Sequence, residues 1–175
     1  MNDHKVSFYN SIKENNPIES TLISSIFEDI KVGRWKNEVL ATRIDQLKKI
    51  ELPCFTPSGI FEKRKKNNLL IFSHLICFDF DNVEHISKIR IKLRHLDWIY
   101  CYFVTPSGRG LKVLVKVKSS VDKFEDLERT IASKLFEVTG MMRDTRAKGI
   151  SQPQYISYDP EGYLNDRALF YEEQE

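Results

Sequence analysis

Residues 98–118, WIYCYFV-TPSGRG-LKVLVKVK, decide the fold of this chain. Two runs rich in aromatic and β-branched residues flank six loop residues that contain two glycines, the pattern of two antiparallel strands joined by a hairpin. In the second run valines alternate with lysines, which predicts one buried face and one polar face. We therefore expect Lys112 to lie on the polar, solvent-facing side of its strand.

The sequence around this hairpin predicts the rest of a β-α-β-β-α-β unit, the split βαβ or ferredoxin-like arrangement, in which four antiparallel strands carry two helices on one face. We predict an α+β fold with an RRM/ferredoxin-like core at residues 69–175. Its other elements are a strand over 69–80, a helix over 83–96 capped by Asn82, a helix over 122–138 that ends at Gly140, and a strand over 154–158.

Residues 1–68 are predicted to form an N-terminal helical and loop segment that packs on the core. Apolar residues at spacings of three and four predict helices over 17–32 and 35–50, the first framed by Pro17 and Gly33. A turn-rich stretch and a basic run, KRKK at 63–66, follow.

Composition narrows the classes of protein to consider. The chain has 175 residues, of which 41% are hydrophobic and 30% charged, enough for one compact unit with a core. No apolar run reaches the length of a membrane span, and the N-terminus lacks a signal-peptide pattern, so we expect a cytoplasmic protein without membrane contact. Residues 1–158 are mildly basic and residues 159–175 acidic, as expected if one face meets phosphate.

Asp79 and Asp81 close the first core strand in the stretch CFDFDN, residues 77–82. Residues two apart point to the same face of a strand, so the two carboxylates project together. Neighbouring carboxylates repel each other unless a cation binds them, and Mg²⁺ prefers oxygen ligands of this kind. The alternative is that both acids simply end a strand in solvent.

The hairpin loop, Ser107-Gly108-Arg109-Gly110 followed by Lys112, is a candidate phosphate-binding segment. Its glycines allow backbone N–H groups to approach a phosphate, and its two basic side chains add positive charge. The alternative is an ordinary Gly-containing hairpin turn. The loop lacks the Walker A pattern, which excludes a P-loop ATPase site within these residues.

Asp144 follows the second core helix. In a β-α-β-β-α-β sheet the fourth strand neighbours the first, so this acid is predicted to meet Asp79 and Asp81 and to complete a two-metal site. The alternative is an acidic residue in a surface loop between two arginines.

Taken in order, these signals resemble the three motifs of archaeo-eukaryotic primase-polymerases. A longer string is similar to the primase-like N-terminal domain that precedes VirE-type ATPase domains in Bacteroides-type mobile elements. The stretches that carry this likeness are LPCFTPSG at 52–59, Phe61, Arg64, ICFDFDN at 76–82, TPSGRGLKV at 105–113, SYDP at 157–160 and Asn165.

The resemblance implies a metal-dependent nucleotidyltransferase, a DNA primase or primase-polymerase that replicates mobile or phage-like DNA. Its substrates would be dNTP or NTP and a single-stranded DNA template, and its partner an ATPase or helicase domain. Metal binding (Mg²⁺ or Mn²⁺) and catalysis are assigned to Asp79, Asp81 and Asp144, and nucleotide phosphates to Ser107, Gly108, Arg109, Gly110 and Lys112. Arg64 and Lys65 are candidate contacts to the template strand in a basic groove.

Two departures from the family pattern support a second hypothesis. Many primases have His where this chain has Lys112, and the subgroup tends to have Ser-Arg where this chain has Ser151-Gln152. Loss of that arginine removes a fork-shaped phosphate donor. The alternative function is a catalytically inert module that binds single-stranded nucleic acid within a replication protein.

Overall fold

The computed structural model of the chain describes residues 4–144 and 148–172. Residues 1–3, 145–147 and 173–175 lie outside the described residues; they include Thr145 and Arg146, which follow Asp144, and part of the acidic C-terminal stretch. None of the helices in the described part is long and apolar enough to cross a membrane.

The first half of the chain supplies five strands and two helices, followed by the first strand of the predicted core. In chain order they are β1 Lys5–Tyr9, β2 Glu19–Leu22, α1 Ile23–Val32, α2 Lys36–Ile44, β3 Cys54–Thr56, β4 Gly59–Phe61, β5 Leu69–Phe72 and β6 Leu75–Phe80. The second half continues with α3 Ile86–Arg94, β7 Ile99–Val104, β8 Leu111–Lys116, α4 Phe124–Thr139, β9 Gln154–Tyr155 and β10 Tyr163–Leu164.

The predicted α+β fold is confirmed, and the succession β6-α3-β7-β8-α4 reproduces the first five elements of the predicted core. One antiparallel sheet has the strand order β10-β7-β8-β6, and a second has the order β2-β1-β3-β9. Strands β4 and β5 form a separate two-stranded sheet. The hairpin at residues 98–118 is present as β7 and β8, which pair through five registered positions from Ile99 to Val104.

The core sheet is covered on both faces. Phe78 and Val113 pack with Leu135 of α4 in a cluster on one side, and Leu114 packs with Phe55 of the second sheet in a cluster on the other. The result is a layer of helices, the core sheet, and then the N-terminal layer. The face opposite the helices therefore lies between two sheets, and the strand alternation that predicts a polar face there does not imply exposure.

The predicted fourth core strand is wrong in its position. Residues 154–155 pair with β3 in the second sheet, while the fourth place in the core sheet is taken by β10, which pairs with β7 at the opposite edge. Ile156, which follows β9, is buried in the cluster between the sheets, and its N–H donates to Pro53 O next to β3 at 3.1 Å. The edge of β6 is bordered instead by the segment after α4, where Asp144 N donates to Asp79 O at 2.9 Å.

Tertiary pairing also overrides three local predictions. Residues 19–22 join β1 as a strand, so the first helix begins at Ile23 rather than near Pro17. The apolar run 69–80 is divided by His74, whose φ of 60° lets β5 and β6 pair with different partners. Asn82 does not cap α3, which begins after His85. The predicted ends at Gly33 and Gly140 are confirmed, each in a left-handed conformation.

The three cysteines are free thiols. Cys54 and Cys101 are buried and Cys77 is half-buried. Burial raises the pKa of the Cys54 thiol to about 11 and raises the pKa of the other two thiols as well. All three therefore remain protonated at neutral pH.

Candidate functional site

Asp79 and Lys112 face each other across β6 and β8, where they are direct partners in the strand register. Lys112 Nζ donates to Asp79 Oδ2 at 2.5 Å and to Gln154 Oε1 at 2.6 Å. Gln154 reaches in from β9, on the other sheet. Only 2% of Lys112 is exposed, so the prediction of a solvent-facing lysine is wrong because the second sheet covers the face to which alternation assigns it.

One oxygen of Asp79 is left unsatisfied. The side chain is 18% exposed, yet Oδ1 is buried and has no hydrogen-bond partner among the described residues. Leaving a buried acceptor without a donor costs roughly 1–3 kcal/mol, and more for a charged group. Such an atom marks a position at which a hydrogen-bond donor or a cation would be stabilising.

Asp81 and Asp144 are brought near Asp79 by different parts of the chain. Asp81 is exposed and directly follows Phe80, the last residue of β6. Asp144 is half-buried and is held against Asp79 by the backbone hydrogen bond already described. The structure thus brings Asp144 to Asp79 as expected, although through a loop contact and not through a neighbouring strand.

Lys49 approaches the same acids from the short 3₁₀ segment Gln46–Glu51. Burial and the ammonium of Lys112 lower the pKa of Lys49, while Asp79, Asp81 and Asp144 act in the opposite direction. All three carboxylates are therefore within electrostatic range of one ammonium. Sequence reasoning missed Lys49, since a lysine in a predicted amphipathic helix is no signal of a site.

The acids are neighbours, but they do not converge on one point. In residues 4–144 and 148–172, no three His, Cys, Asp or Glu side chains form a group that could hold a metal ion. An open cleft of about 560 Å³ begins at Asp81 and runs between the start of α3 and the end of α4, lined also by His85, Lys88, Thr139 and Met142. Of the three acids, Asp81 lines this cleft, whereas Asp79 and Asp144 do not.

The hairpin loop between β7 and β8 closes on itself. The N–H of Gly108 donates to Thr105 O at 2.8 Å, and the N–H of Gly110 donates to Thr105 Oγ1 at 3.0 Å. Arg109 N donates to Ser107 Oγ at 3.3 Å. These amides already have acceptors, so the charge that this loop offers to a phosphate lies mainly in the exposed side chain of Arg109.

The structure explains why glycine occupies both positions of the loop. A Cβ on Gly110 would lie 2.3 Å from the carbonyl oxygen of Phe80, so the loop can approach the end of β6 only without a side chain there. Gly108 has a φ of 74°, and a Cβ there would lie 3.2 Å from the guanidinium carbon of Arg43. Arg43 Nε in turn donates to Pro106 O at 3.1 Å, which adds a second exposed arginine beside the loop.

The predicted template contacts, Arg64 and Lys65, are not hydrogen-bonded to the acids or to the hairpin loop in the described part of the chain. Arg64 is half-buried; its Nη2 donates to Ile12 O at 2.6 Å, and its guanidinium lies 5.5 Å from the ring centroid of Tyr9. This packing gives Arg64 a structural role that its place in a basic run does not reveal. Lys65 is exposed.

The SYDP stretch is explained by a second buried ion pair. Arg90 Nη2 of α3 donates to both carboxylate oxygens of Asp159, at 2.8 and 2.7 Å. Asp159 also accepts the backbone N–H groups of Val104 and Glu161, and Arg90 Nη1 pairs with the Glu161 carboxylate. Asp159 therefore ties the chain after β9 to both α3 and the end of β7.

Comparison with known proteins supplies the family. The sequence profile described as "BT4734-like, N-terminal domain" matches residues 47–164, well over half of the chain. The chain belongs to the BT4734-like N-terminal domain family. The region that matches this BT4734-like family begins next to Lys49, ends with β10, and contains Asp79, Lys112 and Asp144. A search of curated proteins and a search of solved structures gave no match.

Proposed function

We propose that this BT4734-like domain is a metal-dependent nucleotidyltransferase of the primase-polymerase type, acting on a single-stranded DNA template during replication of mobile or phage-like DNA. The observation that carries the proposal is the clustering of Asp79, Asp81 and Asp144 at the loop end of the core sheet, beside Lys112 and Lys49. Carboxylates flanked by ammonium groups are what a nucleotide triphosphate with its divalent ion requires.

The donor set fits a hard divalent cation. Asp79 Oδ1 is a buried carboxylate oxygen with no hydrogen-bond partner among the described residues, and Mg²⁺ or Mn²⁺ is commonly bound through one or two carboxylates, with water and phosphate oxygens as the other ligands. Asp79 would hold the ion through Oδ1, and Asp81 and Asp144, which do not converge with Asp79 on one point, would contribute negative charge or bind through the ion's water ligands. When bound, it would supply activation of a 3′-hydroxyl and neutralisation of the leaving pyrophosphate.

The basic residues would orient the triphosphate of a dNTP or NTP. The ammonium of Lys112 is buried and already donates to two acceptors, so it would act on a bound triphosphate through its positive charge and not as a direct hydrogen-bond donor. Arg109 in the hairpin loop and Arg43 beside it are both exposed and would contact phosphate as charged donors. Lys65 is the exposed member of the predicted template contacts.

Primer synthesis and extension with Asp79→Asn tests the proposal. The variant keeps the size of the side chain and removes its charge, so we expect metal-dependent synthesis to fall by at least about a hundredfold, within the range lost when a transition-state contact is removed. Asp97→Asn is the matched control, because Asp97 is exposed and precedes β7 at the other end of the sheet. Unchanged synthesis by Asp79→Asn would disprove the mechanism.

A second function, the inert single-strand-binding module, is favoured by one observation. The N–H groups of Gly108, Arg109 and Gly110 all donate within the loop, which is the bonding of a structural hairpin. Titration with a non-hydrolysable dNTP and Mg²⁺ separates the two functions. An enzyme binds the nucleotide at millimolar concentration or below, whereas the module binds single-stranded DNA with neither nucleotide nor metal and loses affinity steeply with salt.

A further inference from the structure

The ammonium of Lys112 is among the most deeply placed charges in the described part of the chain. Its side chain is 3% exposed, and it bridges two sheets by donating to Asp79 on the core sheet and to Gln154 on the second sheet. Gln154 is itself 2% exposed. Lys112 therefore cannot turn to solvent without breaking a contact between the two layers.

We propose that Lys112, held in place by Gln154, is a built-in counter-ion that occupies Oδ2 of Asp79 and leaves only Oδ1 to a divalent ion. This inference rests on the proposed function, because it concerns how the same site takes its metal. The two carboxylate oxygens of Asp79 have different environments: Oδ2 accepts from the ammonium at 2.5 Å, and Oδ1 is buried without a hydrogen-bond partner among the described residues.

The choice of partner on the second sheet supports this assignment. Gln154 is neutral, so its Oε1 anchors the ammonium without neutralising it. Of the two acceptors, only Asp79 carries a negative charge that the ammonium neutralises. A carboxylate in place of Gln154 would share the charge and leave Asp79 more negative.

Two cations that share one carboxylate repel each other, and this repulsion sets the sign of the test. Removing the charge of Lys112 should strengthen the binding of a divalent ion at Asp79, because the ion no longer faces a like charge nearby. The same change should weaken nucleotide binding, since the phosphates lose a nearby positive charge. A residue that only supported the fold would move both affinities in one direction.

The experiment measures Mn²⁺ affinity from the electron paramagnetic resonance signal of the free ion. Lys112→Gln is the main variant because its amide keeps N–H donors for both acceptors, and Lys112→Met is the second neutral variant. We expect Lys112→Gln to bind Mn²⁺ at least about fivefold more tightly than the parent and to bind a non-hydrolysable dNTP more weakly, by about the same factor. Thermal unfolding verifies that each variant is folded.

Two controls separate charge from packing. Lys118→Met removes an exposed lysine shortly after β8 and should leave both affinities unchanged. Gln154→Leu removes the anchor but keeps the charge, so its Mn²⁺ affinity should not exceed that of the parent. Equal or weaker Mn²⁺ binding by folded Lys112→Gln would overturn the counter-ion assignment, as would equal tightening in Gln154→Leu. Absence of Mn²⁺ binding by the parent would instead overturn the proposed function.

Discussion

Two buried ion pairs hold different parts of this molecule, and their carboxylates differ in how completely they are satisfied. Asp159 accepts two hydrogen bonds from Arg90 and one each from the backbone N–H groups of Val104 and Glu161. Asp79 accepts from Lys112 through Oδ2 alone, and Oδ1 has no hydrogen-bond partner among the described residues. The first carboxylate is saturated and the second is not.

The difference is in keeping with a structural role for Asp159 and with the binding role proposed for Asp79. A saturated carboxylate paired with an arginine has no capacity for another ligand, and its value is to fix the chain around it. An unsaturated carboxylate paired with a lysine keeps a position open at a cost in stability, which is typical of binding and catalytic sites. The predictions below test whether the two pairs differ in this way.

The largest effect is expected at the saturated pair. Asp159→Asn leaves Arg90, with side-chain exposure of only 9%, paired with Glu161 alone. It also replaces an oxygen that accepts from Arg90 and from a backbone N–H with an NH₂ group, so both of these donors lose that acceptor. Removing one partner of a buried pair costs about 3–5 kcal/mol, and we expect a loss of that size in the free energy of unfolding measured with urea. Asp166→Asn, at an exposed acid nearby, should change it by less than about 0.5 kcal/mol. A loss below about 1 kcal/mol at Asp159 would remove the structural role.

The same substitution at the unsaturated pair should cost less stability. In Asp79→Asn the ammonium of Lys112 keeps Gln154 as an acceptor and gains the amide oxygen of Asn. The expected loss is roughly 1.5–3 kcal/mol, the range for a hydrogen bond to a charged group. Urea unfolding of both variants under one condition checks the order. The distinction between the pairs fails if Asp79→Asn is the more destabilising of the two.

A third residue adjoins each ion pair: Gln154 contacts Lys112, and Glu161 contacts Arg90. We expect the more deeply buried of the two to contribute more to the free energy of unfolding. Gln154→Leu leaves Lys112 with one acceptor in a buried position and should cost about 1–2 kcal/mol. Glu161 is 76% exposed in its side chain, so Glu161→Gln should change the free energy of unfolding by less than about 0.5 kcal/mol. Thermal unfolding of Gln154→Leu and Glu161→Gln compares the two losses of stability. Equal losses would show that Gln154 does not anchor Lys112.

The smallest effect is expected in the alkaline pH dependence of stability. Burial and Lys112 lower the pKa of Lys49 from its ordinary value of 10.5. Between the folded and unfolded values the unfolded chain binds more protons, so the contribution of Lys49 to the free energy of unfolding rises with pH in that window.

Unfolding of the parent and Lys49→Met at several pH values up to about 10.5 isolates this contribution. Burial raises the pKa of Cys54 to about 11, so thiol ionisation lowers stability from about pH 9 upward in both proteins and cancels in the difference. The stability of the parent relative to Lys49→Met should increase with pH. A flat difference would place Lys49 outside the charge cluster.

Much of the fold follows from local sequence patterns. Helix ends at Gly33 and Gly140 and the β7–β8 hairpin depend on backbone conformation and on periodicity within a few residues, so the sequence alone predicts them. The failures occur where distant segments compete for the same backbone. Residues 19–22 pair with β1 although their spacing is that of a helix, and β9 pairs with β3 although the topology rule assigns it to β6.

The candidate site likewise has some features that depend on local sequence and others that depend on tertiary contacts. The sequence by itself determined the acids Asp79 and Asp81 and the hairpin loop, because the alternation of a strand and the position of a turn are local properties. Only the tertiary structure placed Gln154 against Lys112, turned a predicted surface lysine into a buried counter-ion, and identified Asp159 as a saturated partner of Arg90. The physical reason is that burial and pairing depend on which layer covers a strand, and here the covering layer comes from residues far away in the chain.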